Sequence, residues 1–117
     1  MKTIYHITLE DSWSSAKKYG KYSAPSLEKE GFIHCSLADQ IPRVADFNFK
    51  GQQGLIILEI DVARLNCEVK FEDLYGDGEK FPHIYGKVNV DAVLRIASFP
   101  PNSDGTFNFP KNFNLHY

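Results

Sequence analysis

The segment Leu55–Asp61, with the sequence LIILEID, constrains the fold of this 117-residue chain more than any other segment. Its apolar residues form a nearly continuous run instead of alternating with polar residues. Such a run, seven residues long and preceded by Gly54, indicates a strand that is buried on both faces. We therefore expect a sheet in which this strand takes the central position.

The remaining segments predict two helices and a further set of strands around this central one. The predicted strands are Thr3–Leu9, Phe32–Ser36, Leu55–Asp61, Glu68–Glu72, His83–Val88 and Val93–Ala97, and the predicted helices are Trp13–Tyr19 and about Asp39 to Phe47. Between Tyr22 and Glu30 we expect irregular chain, with a turn near Pro25 or a short helix after Ser26. The order β-α-β-α followed by about four strands is typical of an α+β domain. No glycine-rich phosphate loop is present to suggest a doubly wound nucleotide-binding fold.

Length and charge indicate one small soluble domain over residues 1–117, with its core at about 3–97. Residues 98–117 are predicted to form a tail packed by its aromatic side chains, with a frayed end. The formal net charge is −2 and there is no basic block, so we expect no broad nucleic-acid or membrane surface. The chain has no apolar run long enough to be a signal peptide core or a membrane span. We expect a cytoplasmic protein of undetermined oligomeric state, with Cys35 and Cys67 reduced and Cys35 in the core.

Three of the four histidines occur in one local pattern, a histidine followed by an apolar residue and a hydroxyl. The three copies are His6-Ile7-Thr8, His34-Cys35-Ser36 and His83-Ile84-Tyr85. Residues two apart on a strand face the same side, so each copy offers an imidazole beside a hydroxyl. If the three strands adjoin, they form a histidine-rich pocket wall for a polar or anionic ligand or for a metal ion.

The residues around the second and third copies favour a rigid pocket wall. Gly31 permits a tight backbone entry into the second strand, which Phe32 and Ile33 then anchor. Pro82 stiffens the approach to the third copy, and Gly86 leaves room for another backbone or a ligand.

Three further polar residues are candidates for the same pocket. Glu72 ends a strand just before the loop that leads to His83, where it can orient an imidazole, bind a ribose diol or act as a base. Gln40 follows the second strand and can cap the pocket with its amide. Tyr22 precedes that strand and can stack on a ligand ring.

Two other chemistries fit these residues less well. Zinc accepts ligands of the types found at His6, His34, His83 and Glu72, but no HExxH, His-x-His or paired-cysteine spacing is present, and no metal is expected. Nucleophilic catalysis lacks a Gly-x-Ser-x-Gly elbow, and Cys35 is predicted to face the core, where a thiol is inert.

Three motifs resemble the signatures of a small bacterial family that is catalogued only as domain of unknown function 952. The motifs are Ile4-Tyr5-His6, Glu30-Gly31-Phe32-Ile33-His34-Cys35-Ser36 and Phe81-Pro82-His83-Ile84-Tyr85-Gly86. The resemblance spans about residues 3–97, and the order and spacing of the second and third motifs are specific. The family is similar in fold to the ADP-ribosyltransferases. The resemblance therefore implies split antiparallel sheets and two short N-terminal helices around a nucleotide cleft.

The same resemblance implies roles for the candidate residues and names NAD as a possible substrate. The expected ligand-binding residues are His6, Thr8, Tyr22, Ser36, Gln40, Tyr85 and Gly86, and the expected catalytic residues are His34, His83 and Glu72. In this scheme His6 holds a ribose hydroxyl, His34 places the nicotinamide, and Glu72 or His83 stabilises an oxocarbenium-type glycosyl transfer. Two alternatives stay open, a non-catalytic module that binds a small ligand or peptide and a histidine-based site for a divalent metal.

Overall fold

The computed structural model describes residues 2–115, which form nine β-strands, three α-helices and three short 3-10 helices. The strands are β1 (Thr3–Leu9), β2 (Lys21–Tyr22), β3 (Ile33–His34), β4 (Leu55–Asp61), β5 (Val69–Glu72), β6 (Phe81–Ile84), β7 (Val88–Asn89), β8 (Val93–Ser98) and β9 (Asn114–Leu115). The α-helices are α1 (Glu10–Tyr19), α2 (Pro25–Glu30) and α3 (Ile41–Asn48), and the 3-10 helices are Ala38–Gln40, Val62–Arg64 and Val90–Ala92. The predicted α+β class is confirmed.

The strands of the described residues form three antiparallel sheets. The largest has the order β1-β4-β8-β9, so β4 lies between two neighbours, and all seven of its residues are buried. This is the central position that its apolar sequence predicts. The second sheet has the order β3-β6-β5, and β2 and β7 form a third pair. The resemblance implied a pair of split sheets, whereas the described residues form three.

Helix boundaries differ from the predicted ones for local reasons. Helix α1 begins at Glu10, without a side-chain cap, because the backbone N–H of Glu10 bonds the carbonyl oxygen of Gly54 at 3.0 Å. Between Tyr22 and Glu30, where a turn near Pro25 or a short helix after Ser26 was expected, the chain forms the helix α2 with Pro25 at its start, where a missing N–H costs nothing. The helix predicted from about Asp39 is divided into a 3-10 turn and α3.

Glu59 lies in the buried strand β4 because its carboxylate is fully partnered. The guanidinium of Arg95 donates to both carboxylate oxygens at 2.7 and 2.8 Å, and the hydroxyl of Tyr5 donates at 3.0 Å. These hydrogen bonds, led by that of Arg95, hold the pKa of Glu59 below its usual range. A central strand can therefore carry a charged residue on one face without burying an unpaired charge.

The large sheet packs apolar side chains on both of its faces. One face presents Ile4, Ile56, Leu58 and Ile60 to a core that includes Ile33, Cys35 and Ile84 of the second sheet. The other presents Tyr5, Leu55 and Ile57 to Ile41, Ala45, Phe99 and Phe107. Phe99 and Phe107 belong to the aromatic tail and stack with ring centroids 4.7 Å apart. The frayed end predicted for the tail, residues 116–117, lies outside the described residues.

The three strands that carry the histidine pattern adjoin one another. In β3 and β6, His34 and His83 are directly opposite partners. Strand β1 joins this sheet through one antiparallel bridge, in which Tyr5 and Ser36 exchange two backbone hydrogen bonds of 2.8 Å. The condition for a shared histidine wall is thus met. Within residues 2–115, none of the helices has the length and hydropathy needed to cross a bilayer.

Candidate functional site

A cleft of about 960 Å³ opens where β1, β3 and β6 meet. Its inner wall carries all three imidazoles of the repeated pattern together with hydroxyls from the same strands and from β2. These lining residues are His6, Thr8, Tyr22, His34, Ser36 and His83. The volume lies at the upper end of the range of roughly 300–1,000 Å³ that is typical of small-molecule sites.

His6 is neutral and begins a chain of hydrogen bonds, the His6 relay, which continues through Tyr22 to Thr8. Its Nδ1 lies 2.6 Å from the carbonyl oxygen of His34, which only accepts, so Nδ1 carries a proton. Burial lowers the pKa of His6 to about 4, so Nε2 has no proton at neutral pH and accepts from the hydroxyl of Tyr22, 2.8 Å away. The Tyr22 oxygen is also 2.8 Å from the hydroxyl oxygen of Thr8. Because burial raises the pKa of Tyr22 to about 12, that phenol keeps its proton.

The donors and acceptors in the His6 relay can exchange roles, which reverses the direction of its hydrogen bonds. While His6 is neutral, the phenol of Tyr22 donates to the ring and Thr8 donates to the phenol. When His6 is protonated, the ring donates to Tyr22 and Tyr22 donates to Thr8. Thr8 therefore presents a hydroxyl to the cleft whose donor capacity depends on the charge of a buried imidazole.

His83 is oriented by a carboxylate outside the cleft. It is only 2% exposed, and its Nδ1 lies 2.9 Å from Glu72 Oε1, which also accepts a 2.5 Å hydrogen bond from the hydroxyl of Tyr85. These hydrogen bonds, that of Tyr85 first, hold the pKa of Glu72 below its usual range. An ionised carboxylate only accepts, so the proton of neutral His83 resides on Nδ1 and Nε2 carries a lone pair. Over the described range 2–115, no side chain or backbone group bonds that Nε2.

His34 stands beside His83 and also has a carboxylate partner. Its Nε2 lies 2.9 Å from Glu30 Oε2, and both side chains are nearly half exposed. Glu30 ends α2, and Gly31, with φ of 90°, turns the chain so that residues 30 and 34 meet. The rings of His34 and His83 have centroids 5.6 Å apart in an edge-to-face arrangement. The wall thus carries two imidazoles, each hydrogen-bonded to a carboxylate, that of Glu30 or that of Glu72.

Phe32, which was expected only to anchor the second strand, also orders the site. It is buried, but it stacks on His83 at 4.2 Å and meets the ring of His34 edge-on at 4.9 Å. The ring of Tyr85 lies 5.5 Å away. Phe32 therefore fixes the planes of the site rings. The signal was present in the sequence, because Phe32 lies two residues before His34 and so faces the same side of the chain.

Gln40 was expected to cap the pocket, and Glu72 to orient an imidazole, bind a ribose diol or act as a base; neither side chain lines the cleft. The amide of Gln40 accepts from the backbone of Leu37 at 2.8 Å and donates to Glu79 and to the carbonyl oxygen of Lys80. It anchors the loop before β6 to the 3-10 turn. Glu72 bonds Nδ1 of His83 and does not itself line the cleft. Neither residue is placed to touch a ligand, because each is held by partners on the protein side of the wall.

Tyr85 and Gly86 also lie outside the cleft lining. Tyr85 is half buried and is held by Glu72. At Gly86, a Cβ atom would lie 2.8 Å from the Cβ of Cys67, which corrects the expectation that a ligand approaches this glycine. The glycine is needed because the chain that follows β6 passes Cys67 at close range.

We expect Gly86→Ala to lower the free energy of unfolding by about 1–3 kcal/mol, because the added methyl group overlaps Cys67. Urea unfolding followed by circular dichroism measures the loss. Cys67→Gly in the same background removes the opposing Cβ and should recover stability relative to Gly86→Ala. An alanine variant as stable as the parent would contradict this account.

The described residues, 2–115, contain no group of three His, Cys, Asp or Glu side chains arranged to hold a metal ion. His6 has both ring nitrogens occupied by the protein, and His34 and His83 each use one nitrogen for a carboxylate. The metal alternative therefore has no supporting cluster in this part of the chain. Cys35 is buried and burial raises its pKa, so the thiolate needed for nucleophilic attack is suppressed.

Comparison with known proteins identifies relatives but names no activity. A family model described as a protein of unknown function, DUF952, matches residues 7–96. The crystal structure of protein CC0527 from Caulobacter crescentus is 31% identical, with a TM-score of 0.82 over 92% of this chain and 94% of that one. The solution NMR structure of CC0527 is 33% identical, with a TM-score of 0.79 over 91% of each chain. No curated protein matches the chain.

Proposed function

Because this chain belongs to the DUF952 family, whose description names no function, we propose a function from its cleft. The cleft binds NAD or a related ribosyl ligand, as the resemblance to the ADP-ribosyltransferases implies. If the protein is an enzyme, its reaction is a glycosyl transfer at the anomeric carbon of the bound ribose. The ligand is a small molecule, and no metal is required.

The observation that carries the proposal is the unpartnered Nε2 of His83. A ring nitrogen that has no protein partner and belongs to a side chain lining a cleft is available to bond water or a ligand. Here the ring is 2% exposed, faces a cleft of about 960 Å³ and is locked in one tautomer by Glu72. The site therefore presents one oriented acceptor to whatever occupies the cleft.

The hydroxyls on the wall support a sugar as the group that is bound. Thr8 and Ser36 line the cleft beside the neutral His6 relay, so the wall offers uncharged donors and acceptors. Such groups suit the diol of a ribose better than they suit a strongly charged group. Since the protein occupies both nitrogens of His6, this imidazole acts on a ribose through Tyr22 and Thr8 and not by direct contact.

The orientation of His83 also indicates its chemical role in a transfer reaction. Its Nε2 accepts the proton of the attacking hydroxyl, from water or an alcohol, while the bond from C1′ to the leaving base breaks toward that base. The ionised carboxylate of Glu72 stabilises the imidazolium that forms. Glu72 is thus a positioning residue in this scheme, and His83 is the group that meets the reacting atoms.

A non-catalytic binding module remains the second candidate, because no carboxylate of Glu72 reaches the cleft. Glycosyl transfer enzymes place a group that stabilises positive charge beside the anomeric carbon. In this site imidazoles, and not the carboxylate of Glu72, line the cleft. Binding without turnover requires only the hydroxyls and the imidazoles.

A thermal-shift and calorimetry screen with NAD, ADP-ribose, nicotinamide and divalent metal ions tests the proposal. A ligand at a hundred times its Kd should add about 2.7 kcal/mol to the unfolding free energy. We expect NAD or ADP-ribose to stabilise the protein, and His83→Gln to weaken that binding about tenfold or more, whereas Lys70→Gln on the same sheet should not. Stabilisation by metal ions alone, or by none of these compounds, would contradict the proposal.

An assay for the release of nicotinamide from NAD distinguishes an enzyme from a non-catalytic binding module. An enzyme should release nicotinamide at a rate that falls in Glu72→Gln while the affinity for NAD stays unchanged, because the amide oxygen of glutamine still accepts from His83 Nδ1 but no longer stabilises the imidazolium. A binding module should show affinity for NAD and no release in either protein. The assay also distinguishes a positioning role of Glu72 from direct ligand contact, which would lower affinity.

We also propose that the protein works in the cytoplasm. Both cysteines are free thiols, Cys35 buried and Cys67 half buried. Free thiols are the ordinary state in a reducing compartment. Fractionation of cells that express the tagged protein tests this assignment, and recovery from an oxidising compartment would contradict it.

A further inference from the structure

We propose that Phe47 and Tyr75 form a ring-binding subsite at the mouth of the cleft, which holds a planar heteroaromatic base of the ligand. The inference rests on the proposed function and names the part of the ligand that these two rings hold. Phe47 is in the last turn of α3, and Tyr75 is in the loop between β5 and β6. Both side chains line the cleft.

The first argument is the exposure of these rings. Phe47 is 88% and Tyr75 is 71% exposed, although large aromatic side chains usually bury most of their surface. Among residues 2–113, whose side-chain exposure is described, five large apolar side chains are exposed, and three of them, Leu9, Phe47 and Tyr75, line this one cleft. Exposed apolar surface gathered around one opening marks a binding site.

The second argument is that the loop carrying Tyr75 is held in place without a ligand. The carboxylate of Asp73 accepts from the backbone of Gly78 at 2.8 Å and of Asp77 at 3.1 Å. At the end of the loop, Glu79 accepts hydrogen bonds from Arg43 and Gln40. A ring presented by an ordered loop loses little conformational entropy when it binds.

Helix α3 presents Phe47 and Arg43 to the cleft together. Residues four apart on a helix share one face, and both line the opening. Arg43 also holds Glu79, so the same helix face orders the opposite loop and supplies one of the two rings. The two rings therefore belong to one connected structure at the mouth.

The groups that line the cleft indicate a ligand with both a planar ring and polar groups. The exposed aromatic rings, the hydroxyls, the guanidinium of Arg43 and the imidazoles of His34 and His83 all line it. A base joined to ribose and phosphate matches this set of groups, because aromatic side chains stack on any base. A free sugar phosphate leaves the mouth empty.

Calorimetric titration of the full chain with NAD, ADP-ribose and ribose 5-phosphate tests the subsite. We expect Phe47→Ala and Tyr75→Ala each to weaken NAD and ADP-ribose by about 5- to 100-fold, and to leave ribose 5-phosphate unchanged. Tyr75→Phe keeps a ring and should bind like the parent. Tyr19→Ala is the matched control, since Tyr19 is 82% exposed on α1 and does not line the cleft.

Three results would overturn the subsite. If the parent binds NAD and both alanine variants bind it equally well, the subsite is wrong while the proposed function stands. If the variants weaken ribose 5-phosphate as much as NAD, the rings support the cleft and do not hold a base. If the parent binds none of the three compounds, the proposed function fails and the subsite fails with it.

Discussion

Acidification from pH 7 to pH 4 should lower the free energy of unfolding by about 3 kcal/mol through His6 alone. Burial lowers the pKa of His6 from its ordinary value of 6.5 to about 4 in the folded protein. Each unit of difference between the folded and unfolded pKa corresponds to about 1.4 kcal/mol. Between these two pH values the unfolded chain binds a proton that the folded protein does not, so stability falls as the pH falls.

The carboxylates act in a lower pH range. The folded-state pKa values of Glu59, Glu72, Asp73 and Glu79 are below the usual range, so the stability that they contribute is present above their unfolded pKa. It is lost only as the pH falls through their depressed values, below about pH 4. The contribution of His6 is lost mostly between pH 6.5 and pH 4. The two contributions can therefore be separated by the pH at which they appear.

Chemical denaturation of the parent and of His6→Asn at several pH values measures the effect. Asparagine can still donate to the carbonyl oxygen of His34 but cannot titrate. We expect the variant to be less stable at pH 7, because its contact with Tyr22 is lost, and to have a much flatter stability profile from pH 7 to pH 4. Parallel profiles for the two proteins would show that His6 is not the titrating group.

Truncation of a buried side chain in the central strand should lower the free energy of unfolding by a similar amount. Leu58→Ala removes a side chain that is 0% exposed, between His6 on β1 and Ile96 on β8. Such substitutions cost about 2–5 kcal/mol, because the lost burial is combined with a cavity that the surroundings fill only in part. Equilibrium unfolding in urea measures this loss of unfolding free energy.

Leu74→Ala is the control for this truncation. Leu74 is 50% exposed, and substitutions at such positions usually change stability by no more than about 0.5 kcal/mol. Leu58→Ala should also disturb the His6 relay, because Leu58 packs directly opposite His6 in the sheet. Equal losses in the two leucine variants would contradict the central, buried position of β4.

Together these predictions place the same imidazole in two roles. His6 supports folding, because its neutral ring bonds the backbone of β3 and so ties β1 to the second sheet. It also fixes Tyr22 and Thr8, which face the cleft. The same residue therefore stabilises the fold and holds the side chains that line the cleft.

Part of the candidate site follows directly from the sequence. The alternation of side chains on a strand puts His6 with Thr8 and His34 with Ser36, and all four line the cleft. The adjacency of the three strands was only a condition in the sequence analysis. It depends on the register that puts His34 opposite His83 and on the bridge between Tyr5 and Ser36.

Other parts could not be read from the sequence, because they depend on contacts between distant segments. Glu72 was expected to orient an imidazole, bind a ribose diol or act as a base, and only the structure shows that it bonds His83 and Tyr85 across the β5–β6 pair. Gly86 was expected to admit a ligand, yet it admits Cys67. Which partner a polar group or a glycine finds is decided by the packing of elements far apart in the chain.

The sequence by itself determined the α+β class, the central burial of Leu55–Asp61 and the face on which each histidine stands. These properties follow from periodicity and from the apolar content of short segments, which are local. Only the tertiary structure decided that one face of a three-stranded sheet and the edge of a four-stranded sheet share a cleft. It also decided which nitrogen of His83 is left free, because that depends on the position of Glu72, eleven residues earlier and on a neighbouring strand.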